Sequence, residues 1–555
     1  MKSVKRRVVL SGAATVAAGA GIAAATGITR APNAAAASAA ATFNAVTVKP
    51  ADIQYPELIS GMNQRWVSAP DYIRVVSTTE QVTAAVQEAV DAGKRISIQG
   101  GGHCYTDFVH NPEVKVVINM TEMSEVYFDT ARNAYAVEAG ATLTEVYETL
   151  FKVYGVTVPG GMCFSVGVGG HVSGGGYGLL SRKLGSIIDY LHAVEVVTVN
   201  AAGKAQAVIA TRADNDPNRD LWWAHTGGGG GNFGVVTRYW FRDPKPTNSR
   251  LTVLPKPPKT VLVNAVSIPW SQLDKAGFTR LIKNYGAWHE ANMSPTSPNK
   301  GLCSFLLANH KVNGNIGLLT VVDGTEPNAE QMLQDYLAAI TAGVGATARP
   351  VNEPIGEHIA MPDLFHPVRL PWFTAVRLLG TSNPTLTNPT LRGEYKSAYM
   401  KKNFTDAQVG SMWTHLTRTD YVNDQALMVL LSYGGQINAV ASDATASAQR
   451  DSAFKVLFET FWSDASEDAQ HIGWCRDIYT TVFSSTGGYP VPGAQTDGCY
   501  INYPDADIRN PQVNQSGVAW STLYYKANYP RLRQIKAKYD PKNIFRHSQS
   551  IELPA

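Results

Sequence analysis

Apolar positions along the chain switch between a helical and a strand period, and the switching predicts a mixed fold. Val82, Ala85, Val86, Ala89 and Val90 recur at helical spacing behind Ser77-Thr78-Thr79-Glu80, read as a capping box from Ser77 to Glu80, until Gly93 ends the run. Arg95 to Gln99 then alternates with period two and runs straight into Gly100-Gly101-Gly102-His103. Val114 to Met120 and Ala134 to Ala139 read as further strands, and Thr142 with Glu145 caps a second helix that stops near Gly155. Ala193 to Asn200 and Gln206 to Ala210, joined by Ala201 to Lys204, form a predicted hairpin. Farther on, strand-like runs (Leu302 to Ala308, Gly317 to Val322, Ala426 to Tyr433) mix with helix-like ones (Glu330 to Ala342, Ser447 to Trp462), the pattern of a sheet backed by helices. Near the end a helix is broken at Asp540-Pro541.

Several features divide the chain. At 555 residues it exceeds what one hydrophobic core serves, and Pro244, Pro246, Pro255, Pro257 and Pro258 mark a lobe boundary. Residues 1–41 read as an export signal. A basic start with adjacent Arg6 and Arg7 precedes a weakly apolar, small-residue stretch and an alanine-rich segment, the twin-arginine type that carries folded proteins. That route fits a protein that captures its cofactor before leaving, and it makes the twin-arginine machinery a partner and the final location extracytoplasmic. No later run is long and apolar enough to suggest a membrane span. A net charge of +3 without a basic patch argues against nucleic acid.

The densest chemistry lies between Pro159 and Gly178, where nine glycines surround Cys163, His171 and Tyr177 with valines interleaved. Such a backbone passes close to something flat or anionic, so the stretch reads as a cofactor loop. Gly229, Gly231 and Gly234 satisfy the dinucleotide fingerprint, but Val235 to Phe241 follows as a strand, so a Rossmann reading is rejected. No P-loop, zinc-protease or serine-hydrolase motif occurs. Five cysteines form an odd set; with Cys163 spent on a cofactor, the other four permit up to two disulfides.

Three separated segments carry a resemblance. Gln99 to Asp107 (QGGGHCYTD), Cys163 to Gly178 (CFSVGVGGHVSGGGYG), and YINYPD from Tyr500 with the ending YYKANYPRLRQIKAKYDPKNIF resemble the berberine-bridge-enzyme-like branch of the vanillyl-alcohol-oxidase flavoproteins. The resemblance implies an α+β chain: a PCMH-type FAD-binding domain over 42–248, completed by 500–555, and an α/β substrate domain over 249–499 with an antiparallel sheet backed by helices. It implies FAD joined by His103 at the 8α-methyl and Cys163 at ring carbon C6. An imidazole and a thiolate are side chains able to add to an electron-poor ring. Cofactor contacts then fall on Gln99, Gly100, Gly101, Gly102, Cys104, Val166, Gly167, Gly169, Gly170, His171, Gly174, Gly175, Val235, Tyr503 and Asn543. Val166 takes the family's oxygen-gate position, and a valine there resembles the oxidase setting. No metal is implied.

By the same resemblance Tyr503 is the catalytic base, with Tyr105 and Tyr177 as partners and Tyr433 as a further candidate. A tyrosinate takes the hydroxyl proton of a secondary or anomeric alcohol while hydride passes to flavin N5, and O2 reoxidises the flavin to give hydrogen peroxide. A free phenol costs roughly 4 kcal/mol to ionise at pH 7, so neighbouring donors must lower that cost. The small-molecule substrate implied is a sugar, free or on a glycosylated natural product. The same flavin would also serve oxidative ring closure or C–C or C–N bond formation, and a non-catalytic flavin carrier is a third reading. Strand alternation would put Tyr500 and Tyr503 on opposite faces.

Overall fold

The computed structural model describes residues 45–245 and 249–555, and Ala45–Ala555 cluster as one compact unit. The export signal at 1–41 and Pro246 of the boundary cluster lie outside the described residues. Among the described residues no helix is long and apolar enough to cross a membrane.

Three sheets organise the chain. Val46–Val48, Tyr72–Val75, Val116–Asn119 and Ile96–Gln99 form a four-stranded sheet in that order; the last three strands are parallel and the first is antiparallel to its neighbour. A five-stranded antiparallel sheet runs Val126–Asp129, Ala134–Glu138, Val235–Phe241, Leu191–Val199, Ala205–Thr211. The strand after the glycine string is thus central in a sheet, where a dinucleotide fold needs a helix. The third sheet is antiparallel with seven strands: Val368–Pro371, Thr260–Pro269, Asn315–Asp323, Leu302–Asn309, Ala426–Ser432, Phe454–Trp462 and Arg392–Met400. Helices Lys275–Ala291, Ala329–Thr341, Asp406–Thr417 and Asp468–Val482 pack on one of its faces. Tyr285 anchors the first of them, its hydroxyl lying 3.1 Å from the carbonyls of both Ser304 and Leu430. These are the PCMH-type domain and the helix-backed antiparallel sheet expected of an α+β chain.

Local signals hold where a side chain enforces them. Thr142 and Glu145 form a full capping box, and Gly155 ends that helix in the left-handed region. The first cap moves by one residue. Thr78, not Ser77, accepts from the Gln81 N–H at 3.2 Å, while Gln81 takes the Ser77 N–H at 2.8 Å.

Three expectations are corrected. The helix expected over Ser447 to Trp462 is irregular chain followed by the strand Phe454–Trp462. All nine strand residues are buried, so period-two alternation is masked, as it is in any strand covered on both faces. Tyr500 to Asn502 is not a strand either. Gly498, at φ +83, and Pro504, which has no N–H, bracket a turn closed by Tyr503 N–H on Tyr500 O at 2.9 Å. The two rings therefore meet edge to face, 4.9 Å apart, and line the same cavity. No disulfide forms: Cys104, Cys163, Cys303, Cys475 and Cys499 are all free thiols.

Candidate active site

Two loops meet backbone to backbone to start the site. A Cβ added to Gly101 would sit 2.4 Å from Gly167 N, and one added to Gly167 would sit 2.3 Å from Gly101 N. Only glycine permits that crossing. It brings His103, past the end of the strand Ile96–Gln99, against Cys163. Ser165 then joins them, its hydroxyl lying 2.9 Å from His103 Nε2 and 3.6 Å from Cys163 Sγ. Burial pushes the His103 imidazole down to about 4, so it is neutral at physiological pH, and raises the Cys163 thiol. With Nε2 engaged by Ser165, Nδ1 is the nitrogen left to react.

Both side chains line a cavity of ≈ 360 Å³. Gln99, Gly100, Gly101, Gly102, Cys104, Val166, Gly167, Gly169, Gly170 and His171 line it too. Gly170 is its open floor, because an added Cβ there would meet no atom within 4 Å. Val166 sits beside Cys163 across a turn closed by Val166 N–H on Cys163 O at 3.4 Å. His171 Nε2 accepts the Gly161 N–H at 2.9 Å and its carbonyl accepts from Asn502 at 3.0 Å, which locks the cysteine loop to the tyrosine turn. Cys104 hydrogen-bonds the Thr106 carbonyl at 3.3 Å, and burial pushes its thiol up to about 11, so it is unreactive.

Four predicted positions stand off the lining. Gly174 packs under Asn502 and Gly175 under Ser447. Val235 is buried at the start of its strand, where Val236 reaches the cavity instead. Asn543 holds a left-handed turn (φ +52), and Arg546 and His547 line the wall nearby.

Tyr105, Tyr177, Tyr500 and Tyr503 gather on the lining of the same cavity. Tyr503 and Tyr177 hydroxyls lie 3.2 Å apart, and Tyr105 stacks on Tyr395 at 3.7 Å with Tyr503 beyond at 5.8 Å. Tyr433 packs on Tyr177 but does not reach the cavity; its hydroxyl donates to the Gln449 carbonyl at 3.2 Å. Burial raises the Tyr503 phenol, and the Tyr177 hydroxyl works against that rise. The expected net lowering is therefore not present in this arrangement of side chains.

The turn that aims Tyr503 is pinned by charge. Lys396 Nζ lies among Glu394, Asp505 and Asp507, bonding Asp507 at 2.8 Å, and Arg476 grips Asp507 through two contacts of 2.8 and 3.0 Å. This ammonium fills the centre of the one carboxylate cluster with metal-ligand spacing among the described residues.

Sequence reasoning missed Lys455. Its Nζ is 3.4 Å above the Tyr500 ring and 3.5 Å above Tyr177, with Tyr399 and Tyr433 at 4.4 and 4.6 Å, and it has no hydrogen-bond partner. Burial holds its pKa well below the usual lysine value. Glu357 and Glu459, also missed, line the cavity with Leu307, Val429 and Leu457.

The residues fit a flavin. Glycine loops floor a cavity of ligand size, and a neutral imidazole and a thiol meet on its lining. Comparisons agree. A family model described as "FAD binding domain" matches residues 70–208, and one described as "Berberine and berberine like" matches 499–552. The chain is 44% identical over 511 residues to an aclacinomycin-N/aclacinomycin-A oxidase of Streptomyces galilaeus, covering 92% of this chain and 90% of that protein. It is 32% identical to a hexose oxidase of Chondrus crispus, covering 92% and 95%. The solved structure of a glycopeptide hexose oxidase complexed with teicoplanin matches at TM-score 0.84 and 43% identity, over 92% and 99% of the two chains. The chain is an FAD-dependent oxidoreductase that belongs to the berberine-bridge-enzyme-like family of FAD-linked oxidases.

Proposed function

We propose that this protein oxidises a secondary or anomeric hydroxyl of a sugar, free or carried on a glycosylated natural product, with O2 as acceptor and hydrogen peroxide as product. One observation carries the reading: a single cavity is lined by His103 and Cys163, which share the Ser165 hydroxyl, and by Tyr503 and Tyr177, whose hydroxyls face each other. The sugar class follows the aclacinomycin oxidase and the hexose oxidases among the relatives.

FAD, when bound, supplies the hydride acceptor and the route for electrons to O2. His103 through Nδ1 and Cys163 through Sγ would hold it covalently at two corners, and Gly100 to Gly102 and Gly167 to Gly170 would flank it with backbone. Tyr503 takes the substrate hydroxyl proton at its phenol oxygen, and Tyr177 donates a hydrogen bond to that oxygen as it becomes negative. Lys455, with no carboxylate near, is matched to such a negative charge: phenolate and ammonium in one low-dielectric cluster favour each other, so the pair titrates together. Val166 would leave the oxygen path open beside Cys163. Export in folded form by the twin-arginine route completes the proposal, and it is tested by whether residues 1–41 carry a reporter across the membrane.

The test of the linkage is acid precipitation followed by peptide mass. Yellow colour in the pellet and one FAD joining the His103 and Cys163 peptides are expected. A colourless pellet refutes the linkage. Peroxide release across a panel of sugars and glycosides tests the reaction, and no release from any of them refutes it.

A further inference from the structure

One wall of the cavity is formed by strands of the seven-stranded sheet, and their register orders the chemistry. On Phe454–Trp462, Lys455 lies opposite Leu431 and Tyr399, Leu457 opposite Val429 and Ser397, and Glu459 opposite Leu427 and Tyr395. Glu459 thus points to the same side as Lys455 but about 13 Å along the strand, too far to pair with it. It is 1% exposed, and its Oε2 has no hydrogen-bond partner. Glu357 lines the same cavity from a turn closed by reciprocal Ile355 and His358 backbone bonds of 3.0 and 2.9 Å. The two carboxylates face each other, each in a buried setting that disfavours its charge.

Neither has an ion-pair partner among the described residues. Arg65, the nearby guanidinium, is taken by Glu394. His358 hydrogen-bonds Ser382 at 2.8 Å, and burial pushes it down to about 4, so it stays neutral. Leaving a buried carboxylate oxygen unpaired costs about 1–3 kcal/mol or more, a cost that a ligand's donors remove. Held ionised, two neighbouring carboxylates call for both a positive charge and several donors. An ammonium group supplies one charge and three N–H bonds, whereas a hydroxyl supplies one bond and no charge. The apolar floor between, Leu307, Val429 and Leu457, suits the face of a sugar ring.

We infer that Glu357 and Glu459 form a subsite for a protonated amine on the substrate, so that this chain prefers a glycoside carrying a basic amino sugar. The inference rests on the sugar reading above.

Anaerobic calorimetry on the reduced holoenzyme, which cannot turn over its probes, tests this at pH 7. The probes are chitobiosamine, cellobiose and N,N′-diacetylchitobiose, which share a β-1,4-linked backbone. Chitobiosamine is expected to bind about tenfold or more tightly than either neutral sugar. Glu459→Gln and Glu357→Gln are each expected to bring that ratio to within about threefold. Should Glu459→Gln fail to retain flavin, Glu357→Gln alone decides. Equal binding of the three probes, or a ratio that survives substitution, overturns the subsite. Peroxide production without amine preference sinks only the subsite; amine preference without peroxide sinks the oxidase reading and leaves the subsite standing.

Discussion

Replacing Tyr503 by phenylalanine deletes one oxygen from the cavity while leaving its ring to pack on Tyr500 and Tyr105. The fold loses one hydrogen bond, the 3.2 Å contact to Tyr177, worth about 1 kcal/mol. Proton transfer loses its acceptor, worth roughly 100- to 10,000-fold in rate, or about 3–5 kcal/mol. Tyr177→Phe is milder. It keeps the base but removes the donor that favours the anion, about 1.5–3 kcal/mol, so roughly ten- to hundredfold. The two losses act on one proton, so the double variant is expected to match Tyr503→Phe instead of the product of the singles. Anaerobic stopped-flow bleaching of the flavin by a sugar substrate reads the step directly. Because burial raises the Tyr503 phenol, the bleaching rate should climb with pH through neutrality, and in Tyr177→Phe the rise should move to higher pH. A Tyr503→Phe enzyme that bleaches at the unmodified rate refutes the assignment. So does a Tyr177→Phe enzyme that is slow with an unmoved pH profile.

Other perturbations separate fold from chemistry. Gly101→Ala drives a Cβ to within 2.4 Å of Gly167 N, so thermal melting should show a loss of about 1–3 kcal/mol along with low flavin content. Gly170→Ala meets no protein atom within 4 Å and should melt normally yet load less flavin; normal loading would place the cofactor elsewhere. Lys455→Met removes a buried amine without hydrogen bonds, so stability should hold or rise by about 1–4 kcal/mol while bleaching at pH 7 slows about tenfold or more. A drop in melting temperature with unchanged bleaching would contradict that role. His225 and His358 are buried and pushed down to about 4. The unfolded chain protonates them below about 6.5 while the folded chain resists until near 4, so stability present above pH 6.5 falls between those limits. Each contributes about 3 kcal/mol. Their Gln variants should flatten that acid limb in urea melts, and an unchanged limb would refute the assignment.

What the sequence reveals and conceals follows from where the determining contacts lie. Thr142 with Glu145, Gly155 and the strand after Gly234 are legible because local hydrogen bonds and backbone angles decide them. His103, Cys163 and Tyr503 are legible only through the resemblance, since what unites them is a crossing of Gly101 with Gly167 and a turn pinned by Lys396, contacts between distant segments. The strand Phe454–Trp462 is concealed for the opposite reason. Its burial on both faces erases alternation, and with the strand vanish Lys455 and Glu459, the two charges that distinguish its ends. A chain that stations an amine and a carboxyl oxygen without hydrogen-bond partners on one buried strand gives up stability at both places. At the first end the compensating charge is the one that Tyr503 acquires on taking a proton. At the second, nothing within the described residues supplies it, and the amine of the proposed subsite would.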